Sequence, residues 1–295
     1  MPLEDLIITI YCFIEEKYQA VVGEQKLRRR GPAPSLSDIE LLTMLVVGEY
    51  LGLDKDKKIW LYFTKHWSDW FPGLGCRTSF VRQGANLSGV LERMQHLLSH
   101  QLCNDKDLYL FDGFPIPVCH IKRYKRRSPF RGSGAVGYCA AKDQKYFGFK
   151  GHLLISYEGV VKAVSVAPAH IDERDVLPEV TAGLTGDVIA DKGLIRPTLQ
   201  QDLKNQGLNL HTPLRKNMKD PRPKEFVSQL MNVRRKVETV IGQLVERFKV
   251  QSIKAKDKWH LMNKVGRKIF AHTVCCFINK TINPQNHLQI EKLIA

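Results

Sequence analysis

The chain has 295 residues, 43% of them hydrophobic, enough to bury a sizeable core in one large domain or two smaller ones. Lys and Arg number 45 against 30 Asp and Glu, a formal net charge of +15, which points to a polyanionic partner and disfavours a carboxylate-pair glycosidase. A soluble protein that is simply basic is the plainer reading of the same charge. The seven cysteines form no Cys-x-x-Cys pair, which fits reduced thiols in a cytosol better than a disulfide framework or a zinc site. The apolar run Leu6–Ile14 is too short to span a bilayer and follows Glu4-Asp5, so neither a membrane span nor a signal peptide is expected.

The first hundred residues read as helical. Leu3, Ile7, Ile10, Ile14, Tyr18 and Val21 recur at helical spacing. Ser37-Asp38-Ile39-Glu40 forms a capping box that opens a second helix through about Leu51. The aromatic cluster Trp60, Tyr62, Phe63, Trp67, Trp70 and Phe71 is read as a small core, with a base-stacking platform as the alternative. Thr78 is placed to cap a last helix, Phe80 to Leu98. One face of it carries Arg82, Gln83, Asn86 and Arg93, either a DNA-reading face or a solvated one. This segment, 1–104, is expected to be a helical DNA-binding domain, with 105–295 as a second domain that includes a C-terminal helix.

Asp107–Gly113 is an apolar run ending in a carboxylate and a glycine, and reads as a buried strand with Asp112 at its lip and a turn at Gly113. Pro115-Ile116-Pro117 is expected to end regular structure. Lys122, Arg123, Lys125, Arg126, Arg127 and Arg131, interleaved with Tyr124, read as a phosphate-gripping loop or as a solvated charge run. Strands are expected at Tyr146–Ser156 and Val160–Ala167 around a Glu158-Gly159 hairpin, and then a helix capped by Asp172. Gly186–Gly193 repeats the apolar-run-to-aspartate pattern, ending at Asp191. If its strand lies parallel to the first, the two aspartates face each other, and carboxylates that close share a proton or recruit a cation. A helix from about Pro197, a short strand Leu208–His211 and a basic loop with Arg215 and Lys216 follow. A long helix from about Phe226 to Val250 buries Val237, Val240 and Leu244, with Arg234, Glu238 and Gly242 one turn apart; Gly242 suggests the close approach of a strand or of a substrate backbone. Trp259–Asn279 reads as a final amphipathic helix. The fold class is a mixed five-stranded α/β sheet flanked by helices, preceded by an all-helical domain.

Asp112 in Phe111-Asp112-Gly113, Asp191 in Asp191-Lys192-Gly193, and Glu238 in Arg234-Arg235-Lys236-Val237-Glu238 together resemble the DDE triad of bacterial insertion-sequence transposases. The blocks Gly137–Lys142, Gly148–His152, Trp259-His260-Leu261 and Ala271-His272-Thr273 extend the resemblance over nearly the whole chain, with the insertion sequence 982 family as the best match. Relatives carry a Tyr-x-x-Arg-x-x-x-Glu-x₆-Lys signature around the third acid. Arg234 and Glu238 fit it, while Met231 and Val245 stand at its Tyr and Lys positions. The resemblance implies a ribonuclease-H-like catalytic domain. It also implies two divalent cations, Mg²⁺ or Mn²⁺, held by Asp112, Asp191 and Glu238. The expected substrate is double-stranded DNA, both terminal inverted repeats and target, and paired ends imply a homodimer at least, in a bacterial cytoplasm at the nucleoid. Lys122, Arg123, Lys125, Arg126, Arg127, Arg131, Arg215, Lys216, Arg234 and Arg235 are the expected DNA contacts. Glu246 is the rival third acid; Asp172, Glu173 and Asp187 are weaker rivals that capping and turn roles explain. A ribonuclease-H-like nuclease or resolvase without strand transfer, or a DNA-binding relic without catalysis, are the alternative functions.

Overall fold

The computed structural model describes residues 1–25, 27–28, 31–103, 107–127, 130–139, 142–215 and 217–294, with backbone alone at 126 and 127. Five helices come first: α1 (Leu3–Val22), α2 (Asp38–Tyr50), α3 (Asp56–His66), α4 (Arg77–Asn86) and α5 (Ser88–Leu102). Then follow β1 (Leu108–Cys119), the single turn α6 (Tyr124–Arg127), β2 (Ala135–Cys139), β3 (Gln144–Ser156), β4 (Val161–Pro168), α7 (Glu173–Val180), β5 (Gly186–Ile189), α8 (Pro197–Asn205) and β6 (Leu208–His211). The long helices α9 (Lys224–Glu246) and α10 (Lys258–Ile282) come last. No helix among the described residues is long and apolar enough to cross a membrane.

The chain divides into two compact units, Met1–Gln101 with Leu244–Ala295, and Leu102–Gln243. This differs from the expected split into 1–104 and 105–295, whose boundary falls outside the described residues. The reason is visible in α10, whose residues from Arg267 to Cys276 are all buried and need partners on every side. It finds them on α2 and α1 of the N-terminal segment.

In the helical unit, α2 is the central element. Its N-terminus has the expected capping box: Ser37 Oγ accepts from Glu40 N–H at 3.1 Å, and Glu40 Oε2 accepts from Ser37 N–H at 2.7 Å. Every residue from Leu41 to Tyr50 is buried. At Gly48 an added Cβ would sit 2.7 Å from the Ile59 side chain, so glycine lets α3 come close. Glu49 is buried on this helix and is neutralised from α10 by Lys268 and by Arg267, whose Nε donates at 2.7 Å; Arg267 also reaches Asp56 at 2.6 Å. The single helix expected from Phe80 to Leu98 is two helices, broken at Leu87, where Asn86, Ser88 and Gly89 are poor helix formers. Cys76 rather than Thr78 stands at the N-cap. Gln83, expected on a base-reading face, is buried and donates to Leu36 O and Asp38 Oδ1. Arg93 donates to Val21 O.

The second unit is a six-stranded sheet, one strand more than expected. The addition is β2, which pairs antiparallel with the first half of β3. Its pattern hides the strand, because Val136 and Tyr138 face solvent while the inward position is Gly137. β3 pairs antiparallel with β1 along one edge and with β4 along the other, and β5 lies parallel to both β1 and β6. β1 does not end at Gly113 or at the prolines. β5 covers it only from Leu108 to Leu110, so beyond that point the prolines' missing N–H groups can face an unpaired edge while β3 continues alongside to Cys119. Phe111, Val188 and Leu208 meet Val176, Leu177, Leu199 and Leu203 of α7 and α8 in one core on one face of the sheet. Side chains alternate along β1, so Asp112 points to the other face.

The Glu49 cluster yields a stability test. Removing one member of a buried ion cluster leaves the others uncompensated, so Glu49→Ala should destabilise the helical unit by about 3–5 kcal/mol. All four tryptophans, 60, 67, 70 and 259, belong to this unit, so urea unfolding followed by tryptophan fluorescence reads it directly. A midpoint unchanged from the parent protein would show that the cluster contributes no net stability.

Candidate active site

Three elements of the sheet unit converge on one guanidinium. β1 brings Asp112, Asp191 stands two residues past the end of β5, and α9 brings Glu238 and, one turn earlier, Arg234. Arg234 Nη2 lies 3.9 Å from Asp112 Oδ2, 3.4 Å from Asp191 Oδ1 and 3.5 Å from Glu238 Oε1. A single cation thus touches all three acids singled out in the sequence. The parallel pairing of β1 with β5 places the two aspartates side by side, as the repeated strand pattern anticipates. The i,i+4 spacing on α9 puts Arg234 and Glu238 on one face.

The arginine is itself largely buried. Its side chain is 16% exposed, and its Nε is buried without a hydrogen-bond partner among the described residues. Asp191 caps the helical turn Lys192–Leu194 and accepts from Gly193 N–H at 3.4 Å. Asp112 accepts from Gly113 N–H at 2.8 Å.

Gly113 has a second role that sequence reasoning missed. Its Cα faces the start of α7, where an added Cβ would sit 2.4 Å from Glu173 Oε1. The glycine therefore makes room for a fourth carboxylate, which pairs with Lys150 Nζ at 3.2 Å. Glu173 reads in the sequence as an ordinary first-turn acid behind the Asp172 cap, and nothing local marks it otherwise. Asp172 is indeed the N-cap, bound by Arg174 and held down to about 2 chiefly by that hydrogen bonding. Asp187 is engaged by His211 Nε2 at 2.7 Å. Glu246, two turns after Glu238, is in no ion pair with Arg234.

Burial lifts the Asp112 carboxyl to about 6; Gly113 N–H and Arg234 oppose the rise, while Glu173 and Asp191 add to it. The donor set is all oxygen, the chemistry a hard divalent cation takes. Among the described residues no three acidic, His or Cys side chains stand as a closed ligand set; Arg234 occupies the space between the carboxylates.

The expected DNA contacts fall into three groups. Arg234 is committed to the acids. Lys122, Arg123, Lys125, Arg131, Arg215 and Arg235 are exposed, and none makes an ion pair among the described residues. Lys122 to Lys125 lie on a short helical stretch rather than an irregular loop, with Tyr124 stacked on Phe147 at 4.8 Å. Lys216 and the side chains of Arg126 and Arg127 lie outside the described residues. Gly242 meets nothing within 4 Å among the described residues, so no strand packs on it and the space beside it is open, as the substrate-backbone alternative requires.

The Asp112 environment makes a signed prediction. A carboxyl whose pKa is higher folded than unfolded binds extra protons in the folded state. Stability is then full below the ordinary value of 3.8, falls as pH rises, and is lost above about 6. In metal-free buffer Asp112→Asn should therefore stabilise the protein at pH 7, by at most about 3 kcal/mol, and have no such effect at pH 4. Urea unfolding followed by circular dichroism at the two pH values checks this; equal effects at both would rule out the carboxylate charge as the cause.

Residues 102–257 match the family described as Transposase DDE domain. A search of curated proteins finds no match. Among solved structures, the cryo-EM structure of the piggyBac transposase synaptic complex with hairpin DNA is similar, with a TM-score of 0.51 and 11% identity over 96% of this chain and 76% of that one, a likeness of fold alone. The family match covers just over half of the chain and takes in all three acids around Arg234, and on that match the protein belongs to the transposase DDE-domain family.

Proposed function

We propose that the protein is a DNA transposase that cuts and joins strands at the ends of its own insertion sequence, with Asp112, Asp191 and Glu238 as the catalytic acids. The observation that carries this reading is their convergence on Arg234 within the unit that the family match covers. The strand order β4-β3-β1-β5-β6, antiparallel and then parallel, supports a ribonuclease-H-like catalytic domain. The signature around Glu238 and the motif blocks support membership of the insertion sequence 982 family and a bacterial origin.

The three acids, with only oxygen donors at the site, would hold two divalent cations, Mg²⁺ or Mn²⁺. Such ions, when bound, generate the attacking hydroxide or alkoxide and neutralise the leaving oxygen of an in-line displacement at phosphorus. The chain's own part is positional. β1 and the end of β5 fix the two aspartates against each other, and α9 sets Glu238 beside them. Arg234 offsets part of the charge of the three carboxylates, and its guanidinium would be placed to take a phosphate oxygen of a bound strand. The exposed cations Lys122, Arg123, Lys125, Arg131, Arg215 and Arg235 would grip the sugar–phosphate backbone without reading sequence. The substrates are double-stranded terminal repeats and target DNA. Joining two ends requires at least a homodimer, working at the nucleoid in the cytoplasm. The DNA-bound state of the structurally similar transposase supports a DNA partner. The N-terminal helices would serve as a DNA-binding domain.

Nicking of labelled terminal-repeat duplex in Mg²⁺ or Mn²⁺ tests the assignment. Asp112→Asn, Asp191→Asn and Glu238→Gln should each lower the rate by about a thousandfold or more, since each removes several kcal/mol of transition-state stabilisation. Glu246→Gln should stay near the parent rate. A live Glu238→Gln with a dead Glu246→Gln would sink the third-acid assignment. Cleavage without insertion of the labelled end into a target plasmid would mark a nuclease instead.

A further inference from the structure

A groove rich in cations lies on the helical unit, outside the carboxylate site. It encloses about 590 Å³ and is lined by the start of α3, one face of α4 along its whole length, the irregular segment 254–256 and the first turns of α10. Its exposed cations Lys57, Arg77, Arg82, Lys254 and Lys256 have no carboxylate within 4 Å among the described residues. The one acid on its wall, Asp56, is already neutralised by Lys264 at 2.9 Å and Arg267 at 2.6 Å. Lys264 also donates to Lys254 O at 3.0 Å, so the cationic segment is tied down. Trp259 stands on the same wall and is 51% exposed.

The charges sit where the fold itself does not favour them. A helix N-terminus prefers acids, and α1, α2 and α7 follow that rule with Glu4, Asp5, Asp38, Glu40, Glu173 and Asp175. α4 instead opens with Arg77 and has no acid in its first turn, and Lys57 stands in the first turn of α3. Arg77 adds to the positive end of α4, and Lys57 stands beside Asp56, whose charge is already paired, so the groove carries excess positive charge. The cations come from three separate segments, so they suit an extended polyanion rather than a single small phosphate.

We infer that this groove is a second DNA-binding site, gripping the sugar–phosphate backbone of duplex DNA through Arg77, Lys254 and Lys256, with Trp259 packing against sugar or base. It is built jointly by residues from both ends of the chain, and most of it lies outside the residues matched to the DDE family. The inference rests on the transposase reading for its choice of DNA as the polyanion.

The test uses the full chain in EDTA, so that no cleavage intervenes, and a random-sequence duplex of about three helical turns. Each phosphate contact contributes about 0.9 to the slope of log Kobs against log salt concentration. The folded triple variant Arg77→Ala, Lys254→Ala, Lys256→Ala should flatten that slope by about 2 to 3. Lys254→Arg with Lys256→Arg should keep it. DNA should also change the tryptophan emission of the parent protein, and Trp259→Phe should remove most of that change. A triple variant that is folded by circular dichroism and keeps the parent slope overturns the proposal. So does polyglutamate competing as well as a duplex of equal charge, which would make the groove a site for acidic protein. A chain that binds through the groove but never cuts terminal-repeat DNA in Mg²⁺ defeats the transposase reading alone; one that cuts, with a slope the triple variant leaves unchanged, defeats the groove alone.

Discussion

Mutual repulsion among carboxylates is the constraint around which the sheet unit is built. Asp112, Asp191 and Glu238 come from elements more than a hundred residues apart at the extremes, and each would lower its energy by moving away into water. They stay because backbone hydrogen bonding fixes β1 against β5, and because Arg234 places one positive charge among three negative ones. Lys150 does the same for Glu173 at the edge of the cluster. The neutralisation is incomplete, and the residue of it shows in Asp112, whose burial and acidic neighbours outweigh its donors. Such a site is less stable than an apolar one of the same shape, and strain of this kind concentrates where chemistry is done.

The helical unit solves a similar problem in the opposite way. Glu49 is also buried, but Arg267 and Lys268 satisfy it fully, and nothing there is left for an outside ion. One unit therefore contains acids with an incomplete complement of cations, while the other has a closed internal network and leaves its excess cations on the surface. The contrast separates charge used for chemistry from charge used for structure and for holding a polyanion.

Much of this was legible in the sequence because the signals were local. The Ser37–Glu40 capping box, the Asp172 cap, the turn at Gly159 and the short strand before Asp191 each depend on a few adjacent residues, and each stands where it was expected. What was not legible depends on partners distant in sequence. Periodicity shows that α10 is buried but not that its cover is α2. Pro115 and Pro117 read as breakers because the sequence does not reveal that β5 leaves that edge of β1 free. β2 carries its apolar residues outward, which inverts the usual pattern. Glu173 is unremarkable until the glycine opposite it is seen to make room for its carboxylate. Gln83, placed on a base-reading face, is misread for the same reason, since its amide is buried against Leu36 O and Asp38.

The division of the chain also sets an order of assembly. The helical unit takes its residues from both sides of the sheet unit, and the Met1 ammonium donates to Leu293 O at 2.9 Å. During synthesis the sheet unit is complete once residue 243 has emerged, whereas α2 must wait, with its apolar surface and Glu49 uncovered, until α10 has been made. Domains fold as units as they emerge, and exposed apolar surface is what chaperones and proteases recognise. A nascent or truncated chain ending before α10 would thus carry an assembled carboxylate site on an unfinished helical partner, and be marked for removal before it could act on DNA.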